Sequence, residues 1–361
     1  MARSRTCKSD VSASSLRARA RKGNAQCALG VLMASLLFEV ALRPIVVDSS
    51  RLGVRTIRNY FEGLSCAHFE ADGLGEVGSR VTGNLRLSGA PEGMIIGDSH
   101  VVAYSVRDEE TMGSVVERLS RTAGRPLNVR QYGWHGANSP TFLAAAESLL
   151  RARNPSWVAV VLNSYNIGVN ALVIRGGWRM EVAPDYSFRL IDGRPPGHGR
   201  WRQTLGLVGH STLFLGLGQR LGLFQTRLAQ ESYAKQMVSQ KLESALDEQA
   251  ARVPRASVLG LKRAFGGRLL VVYAPQVLGP AHYSVEPTET ELHRLCAEEG
   301  VAFLSVRERL ERDRNHYSRL SRGFHNTAPG VGHFNAIGHR IIGEEIWRYI
   351  CDRPSPPIQG S

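Results

Sequence analysis

The chain has little of what metal, redox and nucleotide sites require. Its five cysteines form no CxxC pair and show no zinc-type spacing; they are Cys7, Cys27, Cys66, Cys296 and Cys351. His325, His333 and His339 have no carboxylate or cysteine partners at metal-ligand spacing. The glycine-rich run at residues 72–78 follows no predicted strand and opens no helix, so it does not predict a phosphate-binding loop. The sequence therefore predicts neither a metal nor a cofactor.

Acidic residues are also scarce, with 32 Asp and Glu against 45 Lys and Arg, which gives a formal net charge of +13. Residues 1–24 hold seven of the basic residues and a single acid, Asp10, and an apolar run from Cys27 to Phe38 follows directly. A basic flank before an apolar run is typical of membrane insertion with a cytoplasmic N-terminus, and this already explains the charge. Because no nucleic-acid motif accompanies it, we expect no nucleic-acid partner.

The apolar run continues past Glu39 to Leu42, and its length lies between a signal-peptide core and a full membrane span. No small-x-small cleavage site follows, because Glu39 would take the first small position if Ala41 took the second. We therefore predict an uncleaved transmembrane signal-anchor at residues 25–45, a basic cytoplasmic tail before it, and an exported remainder that is periplasmic or extracellular. A cleaved signal and a buried helix of a soluble domain are the alternatives.

From residue 91 onward, short apolar runs alternate with helical patterns. Strands of the kind that a parallel sheet buries on both faces are predicted at residues 93–97, 127–131, 157–162, 268–274 and 301–305. Helices are predicted at residues 111–122, 140–151 and 288–299, and a last helix follows Asn335, a good N-cap residue. This alternation predicts a three-layer α/β/α doubly wound parallel sheet of the flavodoxin-like type, preceded by the transmembrane helix.

Three segments stand outside this alternation. Residues 46–90 are rich in Gly, Arg and Ser without periodicity, so we expect a stalk or irregular lead-in to a domain at residues 91–351. Residues 170–265 are expected as a helical insertion, whose apolar stretch at 205–224 caps the sheet rather than crossing a membrane, because it holds five glycines and charged or polar side chains. Residues 352–361 are rich in Pro and Ser and predict a disordered tail. In an exported domain, Cys66, Cys296 and Cys351 fit either one disulfide or free thiols.

The most informative short motif is Gly97-Asp98-Ser99-His100, which follows the apolar run at residues 94–96. A serine just past a strand end is where an open α/β sheet presents a nucleophile. The hydroxyl needs a base to take its proton, and His333 lies just ahead of the last predicted helix. Together, Ser99 and His333 predict a serine hydrolase.

The oxyanion formed when a serine attacks a carbonyl also needs hydrogen-bond donors. The loop after the second predicted strand contains Gly133 and Gly136, where the backbone N–H can approach a ligand with no side chain in the way. The loop after the third strand contains Asn163 and Asn166, whose side-chain amides can donate. The residues alone do not show which glycine and which asparagine would donate to the oxyanion.

The Gly-Asp-Ser turn, the glycine loop, the asparagine loop and the late His-x-Asn-x-x-Gly-His segment at residues 333–339 together resemble the SGNH, or GDSL, hydrolase superfamily. The resemblance extends over roughly residues 90–350. It implies Ser99 as the nucleophile, whose own N–H joins the oxyanion hole, and His333 as the base. It also implies Gly136 as the glycine donor, five residues past Gln131, and Asn166 as the side-chain donor, since Gly-x-Asn-Asp falls on residues 164–167.

The chain departs from that family at two places. Relatives usually carry Asp three residues before the histidine, where it orients the imidazole, but this position is Gly330 and no acid lies between Asp313 and His333. The asparagine loop has Ser164 and Ile167 where Gly and Asp are usual. Either a Ser–His dyad works alone, or a carboxylate or carbonyl from elsewhere orients the ring.

The N-terminal pattern predicts an anchored, exported protein. The resemblance implies that it is an esterase acting on acyl esters of a carbohydrate or lipid, with carbohydrate deacetylation included. The alternatives are an O-acyltransferase and a non-catalytic domain of the same fold that binds or modifies envelope glycans. The sequence does not fix an oligomeric state.

Overall fold

The computed structural model of the chain describes residues 30, 33–34, 47–49, 54–59, 65–76, 78–168, 171–172, 178–192, 240–275, 286–324, 330 and 332–352. The chain divides into two units, of which the second comprises Pro44–His198 and Glu231–Ser361 and contains all the elements below. The predicted segments at 1–24 and 205–224 lie outside the described residues, as does the predicted tail at 352–361 apart from Asp352, which ends the last helix. So does the predicted anchor at 25–45, apart from residues 30, 33 and 34, and no helix in the described ranges is long and apolar enough to cross a membrane.

A nine-stranded sheet forms the centre of this unit. Its strands are β1 (Val47–Ser49), β2 (Val54–Asn59), β3 (Ser65–Glu70), β4 (Ser79–Arg80), β5 (Glu92–Gly97), β6 (Asn128–Gly133), β7 (Trp157–Leu162), β10 (Leu269–Tyr273) and β11 (Ala302–Ser305). They lie side by side in the order β1-β2-β3-β4-β6-β5-β7-β10-β11. The five neighbouring strands β6, β5, β7, β10 and β11 are parallel. Numbered by their sequence in the chain, they lie across the sheet in the order 2-1-3-4-5, which is the flavodoxin-like order. The predicted doubly wound parallel sheet is confirmed for these five strands.

Helices cover both faces of the parallel strands. They are α1 (Ser99–Val102), α2 (Met112–Thr122), α3 (Ser139–Arg153), α4 (Ser164–Ile167), α5 (Gln240–Phe265), α6 (Pro287–Glu298), α7 (Arg307–Tyr317) and α8 (Ala336–Asp352). Side chains alternate across β5, so that Met94 and Ile96 join α3, α5 and α6 in one buried cluster, whereas Ile95 joins α2, α7 and α8 in another. The apolar runs thus fill two cores and produce three layers.

The segment expected as a stalk is instead part of the sheet. The strands β1 to β4 pair antiparallel with one another, and Arg80 of β4 pairs with Gln131 of β6. Within β3, Ala67 and Phe69 are buried and pack with Val102 of α1. This corrects the expectation for residues 46–90, whose strands are short and alternate too briefly to be recognised as such.

The predicted helical insertion at residues 170–265 is also corrected in part. Its described portion contains an antiparallel hairpin, β8 (Trp178–Val182) and β9 (Phe188–Asp192), before the long helix α5. This hairpin packs on α5 through Met180 and Val182, which join Val253 and Ala256 in a small apolar cluster. The insertion therefore supplies the helix that crosses over from β7 to β10, and this keeps those two strands parallel.

The strand order reverses between β5 and β7. The chain leaves β5 toward β6 on one side and later returns to β7 on the other, so a crevice forms outside the carboxyl ends of these two strands. Ligands of open α/β sheets bind at such a point. The Ser99 turn and the asparagine loop both begin there.

Candidate active site

Ser99 stands at the first position of α1, directly after β5. Asp98 caps this helix through its side chain, which accepts a hydrogen bond from the His100 backbone N–H. The first N–H groups of a helix have no partner within it, and among the described residues no acceptor meets the Ser99 N–H. This leaves a hydroxyl and an adjacent backbone donor at the same edge of the sheet.

His333 meets Ser99 across the crevice. The Nε2 atom of His333 lies 2.8 Å from the Ser99 Oγ, although the two residues are 234 positions apart in the chain. Just beyond, Asn335 caps α8, where its Oδ1 accepts from the N–H groups of Ile337 and Gly338. The structure therefore brings the predicted nucleophile and base to hydrogen-bonding distance.

A buried arginine that sequence reasoning missed fixes the backbone around His333. Arg322 donates to the Gly332 carbonyl at 2.9 Å and to the Pro275 carbonyl at 2.7 Å, and its guanidinium lies 3.8 Å from the centre of the Phe334 ring. The residues on both sides of His333 are thus held by one side chain. A basic residue 11 positions before a histidine carries no recognisable sequence signal.

Arg322 also reaches His100, the residue after Ser99. Its Nη1 lies 3.3 Å from His100 Nε2, and the His100 ring packs 4.9 Å from the His333 ring. Burial, followed by the charge of Arg322 and the neighbouring His333 and His339, lowers the pKa of His100 well below its ordinary value. His100 is therefore neutral and accepts a hydrogen bond from the arginine.

Position 330, where SGNH hydrolases usually carry an acid, forms a turn here. Gly330 has a φ of 77°, and its N–H donates to the Arg322 carbonyl at 3.1 Å. A residue with a side chain is strained in this conformation. Position 330 therefore supplies backbone to the His333 loop rather than a carboxylate.

The two asparagines of the third loop converge on Asp98. Asn166 Nδ2 donates to Asp98 Oδ2 at 3.1 Å and to the Ala137 carbonyl at 2.8 Å, which uses both of its amide hydrogens. Asn163 Nδ2 donates to the same Asp98 oxygen at 3.0 Å and keeps its second hydrogen, for which the described residues hold no acceptor. Asn166, which the resemblance implied as the oxyanion donor, is thus fully engaged, whereas Asn163 has a donor to spare.

The glycine loop comprises residues 134–137, after β6. It lies beside Asp98 and the two asparagines, because Asn166 donates to its Ala137 carbonyl. Gly136 has a φ of 61°, a conformation that favours glycine, and no acceptor in the described residues meets its N–H. A Cβ at Gly136 would have only the Tyr165 hydroxyl within 4 Å, at 3.9 Å, so its surroundings are open. At Gly133, by contrast, a Cβ would lie 2.5 Å from the Val102 nitrogen, so that glycine permits close packing against α1.

An acid from the lead-in segment holds the glycine loop in place. Glu76 Oε2 accepts from the His135 backbone N–H at 2.6 Å and lies 3.0 Å from His135 Nδ1, and the His135 ring stacks on Tyr104 with the centroids 4.7 Å apart. Burial raises the pKa of Glu76, but the hydrogen bonds and charge of His135 outweigh it and lower the pKa below its ordinary value. Glu76 was not predicted, because its partner is 59 residues away.

Trp134 in the glycine loop and His339 on α8 have packing roles. Trp134 packs against Phe142 with the ring centroids 6.1 Å apart, and His339 is fully buried on α8. Burial, with smaller effects from Arg80 and His333, lowers the pKa of His339 to about 3. No group of three His, Cys, Asp or Glu residues in the described part of the chain is arranged to hold a metal ion.

Comparison with known proteins gives a broad likeness. No family model and no curated protein matches this chain. Among solved structures, a lipase/acylhydrolase from Enterococcus faecalis is 12% identical with a TM-score of 0.40, over 75% of this chain and 100% of that one. An acetylxylan esterase from Geobacillus stearothermophilus, solved as a catalytic mutant, is 14% identical with a TM-score of 0.38, over 74% of this chain and 98% of that one. An α/β hydrolase from the Lake Arreo metagenome is 15% identical with a TM-score of 0.39, over 74% of this chain and 95% of that one. Likeness of this degree carries no argument about activity, so the functional conclusion depends on the geometry of the site.

Proposed function

We propose that this protein is a serine esterase of the SGNH type, with Ser99 as nucleophile and His333 as base. The observation that carries the proposal is the 2.8 Å contact between Ser99 Oγ and His333 Nε2 at the point where the strand order reverses. A serine hydroxyl is a weak nucleophile until a base within hydrogen-bonding distance accepts its proton. Beside this pair, the N–H groups of Ser99 and Gly136 have no acceptor in the described residues, as an oxyanion hole requires.

The reaction follows from these positions. Ser99 Oγ attacks the acyl carbonyl carbon as His333 Nε2 takes the hydroxyl proton, and the carbonyl oxygen gains negative charge that the two backbone N–H groups stabilise. His333 then gives the proton to the leaving alcohol, and the acyl group remains on Ser99 as an ester. A water molecule, deprotonated by His333, attacks that ester, and the acid leaves as the serine hydroxyl is restored.

Asn163 is the side chain best placed to add a third donor. Its free amide hydrogen is fixed in direction by the bond that the other hydrogen makes to Asp98. Asn166 acts indirectly, as a positioning residue. Its hydrogen bonds to Asp98 and to the Ala137 carbonyl connect the Ser99 turn with the glycine loop. Asp98 is thus a positioning residue for both halves of the site.

The substrate that we propose is a small O-acyl ester on a carbohydrate or lipid. Acyl transfer to a sugar hydroxyl is the second candidate, since it uses the same acyl-Ser99 ester and replaces water by another alcohol. The observation that favours it is Gly330, which stands where hydrolases of the SGNH type usually carry an acid.

Steady-state hydrolysis of p-nitrophenyl acetate and of an acetylated oligosaccharide tests the proposal in wild type, Ser99→Ala and Ser187→Ala. Ser187 is an exposed serine in the turn of the β8–β9 hairpin and serves as the matched control. We expect hydrolysis in wild type and in the control and none in Ser99→Ala. Turnover that appears only when an acceptor sugar is added would identify the transferase, and activity that survives Ser99→Ala would contradict both.

We further propose that residues 25–45 anchor the protein, with the catalytic unit exported. The basic residues at 1–24 and the adjoining apolar run support this topology. Extraction of cell membranes with alkaline carbonate is the test. Retention of the protein in the membrane pellet agrees with an anchor, and its release into the supernatant contradicts one.

A further inference from the structure

A second group of reactive side chains lies on β3, within the antiparallel extension of the sheet. Cys66 is exposed, and His68 follows two residues later, so both project from the same face of the strand. The Cys66 Sγ and the His68 Nε2 are 3.9 Å apart. This is longer than a tight hydrogen bond, but nucleophile and base are often more loosely spaced in unliganded structures.

Asp108 orients the His68 ring. Its Oδ2 lies 2.5 Å from His68 Nδ1, and its Oδ1 accepts from the His68 backbone N–H at 3.2 Å. Because a carboxylate can only accept, Nδ1 carries the proton and the lone pair of Nε2 points toward the Cys66 sulfur. Thiol, imidazole and carboxylate are therefore arranged in the order of nucleophile, base and orienting acid.

A buried cation adjoins this group. Arg80 is fully buried and pairs with Asp108. Burial lowers the pKa of Arg80, and the negative charges of Asp108, and of Tyr104 and Cys66 when they are ionised, oppose that effect. Arg80 thus holds the carboxylate that orients the His68 ring, beside the accessible Cys66 thiol.

Charge compensation of Arg80 by Asp108 does not explain why His68 and Cys66 lie beside this ion pair. Asp108 neutralises Arg80, but the pair needs neither the half-exposed His68 ring nor the Cys66 thiol to do so. The other described cysteines lie in different surroundings. Cys296 is buried, and this burial raises the pKa of its thiol to about 12; Cys351 is half-buried, and burial raises the pKa of its thiol too.

We propose that Cys66, His68 and Asp108 form a second nucleophilic site, at which Cys66 takes an acyl group from a thioester or an activated ester. His68 Nε2 accepts the thiol proton as the sulfur attacks the acyl carbonyl carbon. The bond between that carbon and the leaving sulfur or oxygen breaks, and the leaving group takes the proton from His68. The product is a Cys66 thioester and a free thiol or alcohol, so no oxidant or further reactant is needed.

The test is acylation of the full-length protein by p-nitrophenyl acetate in a Ser99→Ala background, with the acetylated residue located by peptide mass spectrometry. Because Ser99→Ala removes the proposed esterase nucleophile, acylation of Cys66 in this variant is independent of the proposed esterase reaction. A negative result for one proposal therefore leaves the other unaffected. His68→Asn keeps an N–H for Asp108 but has no base at the Nε2 position. His316→Gln, a change of an exposed histidine on α7, is the matched control.

We expect acetyl to accumulate on Cys66 faster than on Cys296 or Cys351, and His68→Asn to slow this by about 100-fold, since a general base contributes roughly that much. The His316→Gln control should react at the wild-type rate. Alkylation by iodoacetamide, followed on the same peptides, should rank the cysteines in the same order. The proposal is overturned if Cys66 reacts no faster than Cys351, or if His68→Asn, shown by circular dichroism to be folded, leaves its rate unchanged.

Discussion

Replacement of Asp98 by Asn tests whether one carboxylate holds the Ser99 turn and the asparagine loop together. Asp98 is 6% exposed and accepts three hydrogen bonds, from the His100 N–H and from the amides of Asn163 and Asn166. Asparagine has the same shape but only one accepting oxygen. If that oxygen serves the two amides, the new NH2 group faces the His100 N–H, and two donors are left opposed.

The magnitude follows from these three bonds. The bond to His100 is lost outright, which costs about 1.5–3 kcal/mol for a hydrogen bond to a charged group. The other two bonds remain but become neutral, and each weakens by about 1 kcal/mol, since charge-assisted bonds are roughly twice as strong as neutral ones. Asp98→Asn should therefore lower the free energy of unfolding by about 3.5–5 kcal/mol.

Urea denaturation followed by tryptophan fluorescence measures this change. Asp185→Asn is the control, because Asp185 lies in the exposed hairpin turn and accepts only from Ser187, where asparagine serves equally well. The control should stay within about 0.5 kcal/mol of wild type. A change of less than about 1 kcal/mol in Asp98→Asn would refute the reasoning that Asp98 is the common acceptor.

Three further outcomes are expected. His333→Gln should reduce ester hydrolysis by about 100-fold or more, because it removes the proposed general base, and a loss of less than tenfold would point to another base. Glu76→Gln should lower kcat by about tenfold with KM nearly unchanged, because the loop that carries the proposed oxyanion donor Gly136 loosens. Glu147→Gln, a change of an exposed residue on α3, should alter neither constant. Equal kinetics in the two variants would show that the bond from the His135 N–H to Glu76 does not hold the loop in place. Burial lowers the pKa of His339 to about 3 in the folded protein, whereas its pKa in the unfolded chain is about 6.5. Between these values the unfolded chain binds a proton that the folded protein does not bind, so the free energy of unfolding falls as the pH drops from about 6.5 toward 3. His339 should thus contribute about 2 kcal/mol to the difference between the free energies of unfolding at pH 8 and pH 5. In His339→Gln this difference should be smaller by about 2 kcal/mol.

The parallel sheet was predictable because its strands are continuous apolar runs. Residues 157–162 were predicted as a strand with the bounds that the structure shows, and a strand at 93–97 differs from β5 by one residue. Strands buried on both faces leave a signal that does not depend on their partners. The cap at Asn335 was equally local, because a single side chain serves the helix that follows it.

What the sequence did not reveal depends on distant partners or on weak local patterns. The helix α7 was missed because its sequence is strongly charged and only Leu310 and Asp313 are buried. Glu76 and Arg322 act on backbone groups of other loops, so neither contributes a motif. The resemblance chose Asn166 by alignment, but only the contacts of Asp98 show that its amide is already engaged.

Reaction with a fluorophosphonate probe, followed by mass spectrometric location of the adduct, tests the central claim most directly. The probe phosphonylates a serine only where a base activates it and nearby donors stabilise the new oxyanion-like group. We predict a single adduct on Ser99, absent in Ser99→Ala and formed much more slowly in His333→Gln. An adduct on another serine, or none in the folded wild-type protein, would contradict the assignment of Ser99 and His333 as the catalytic pair.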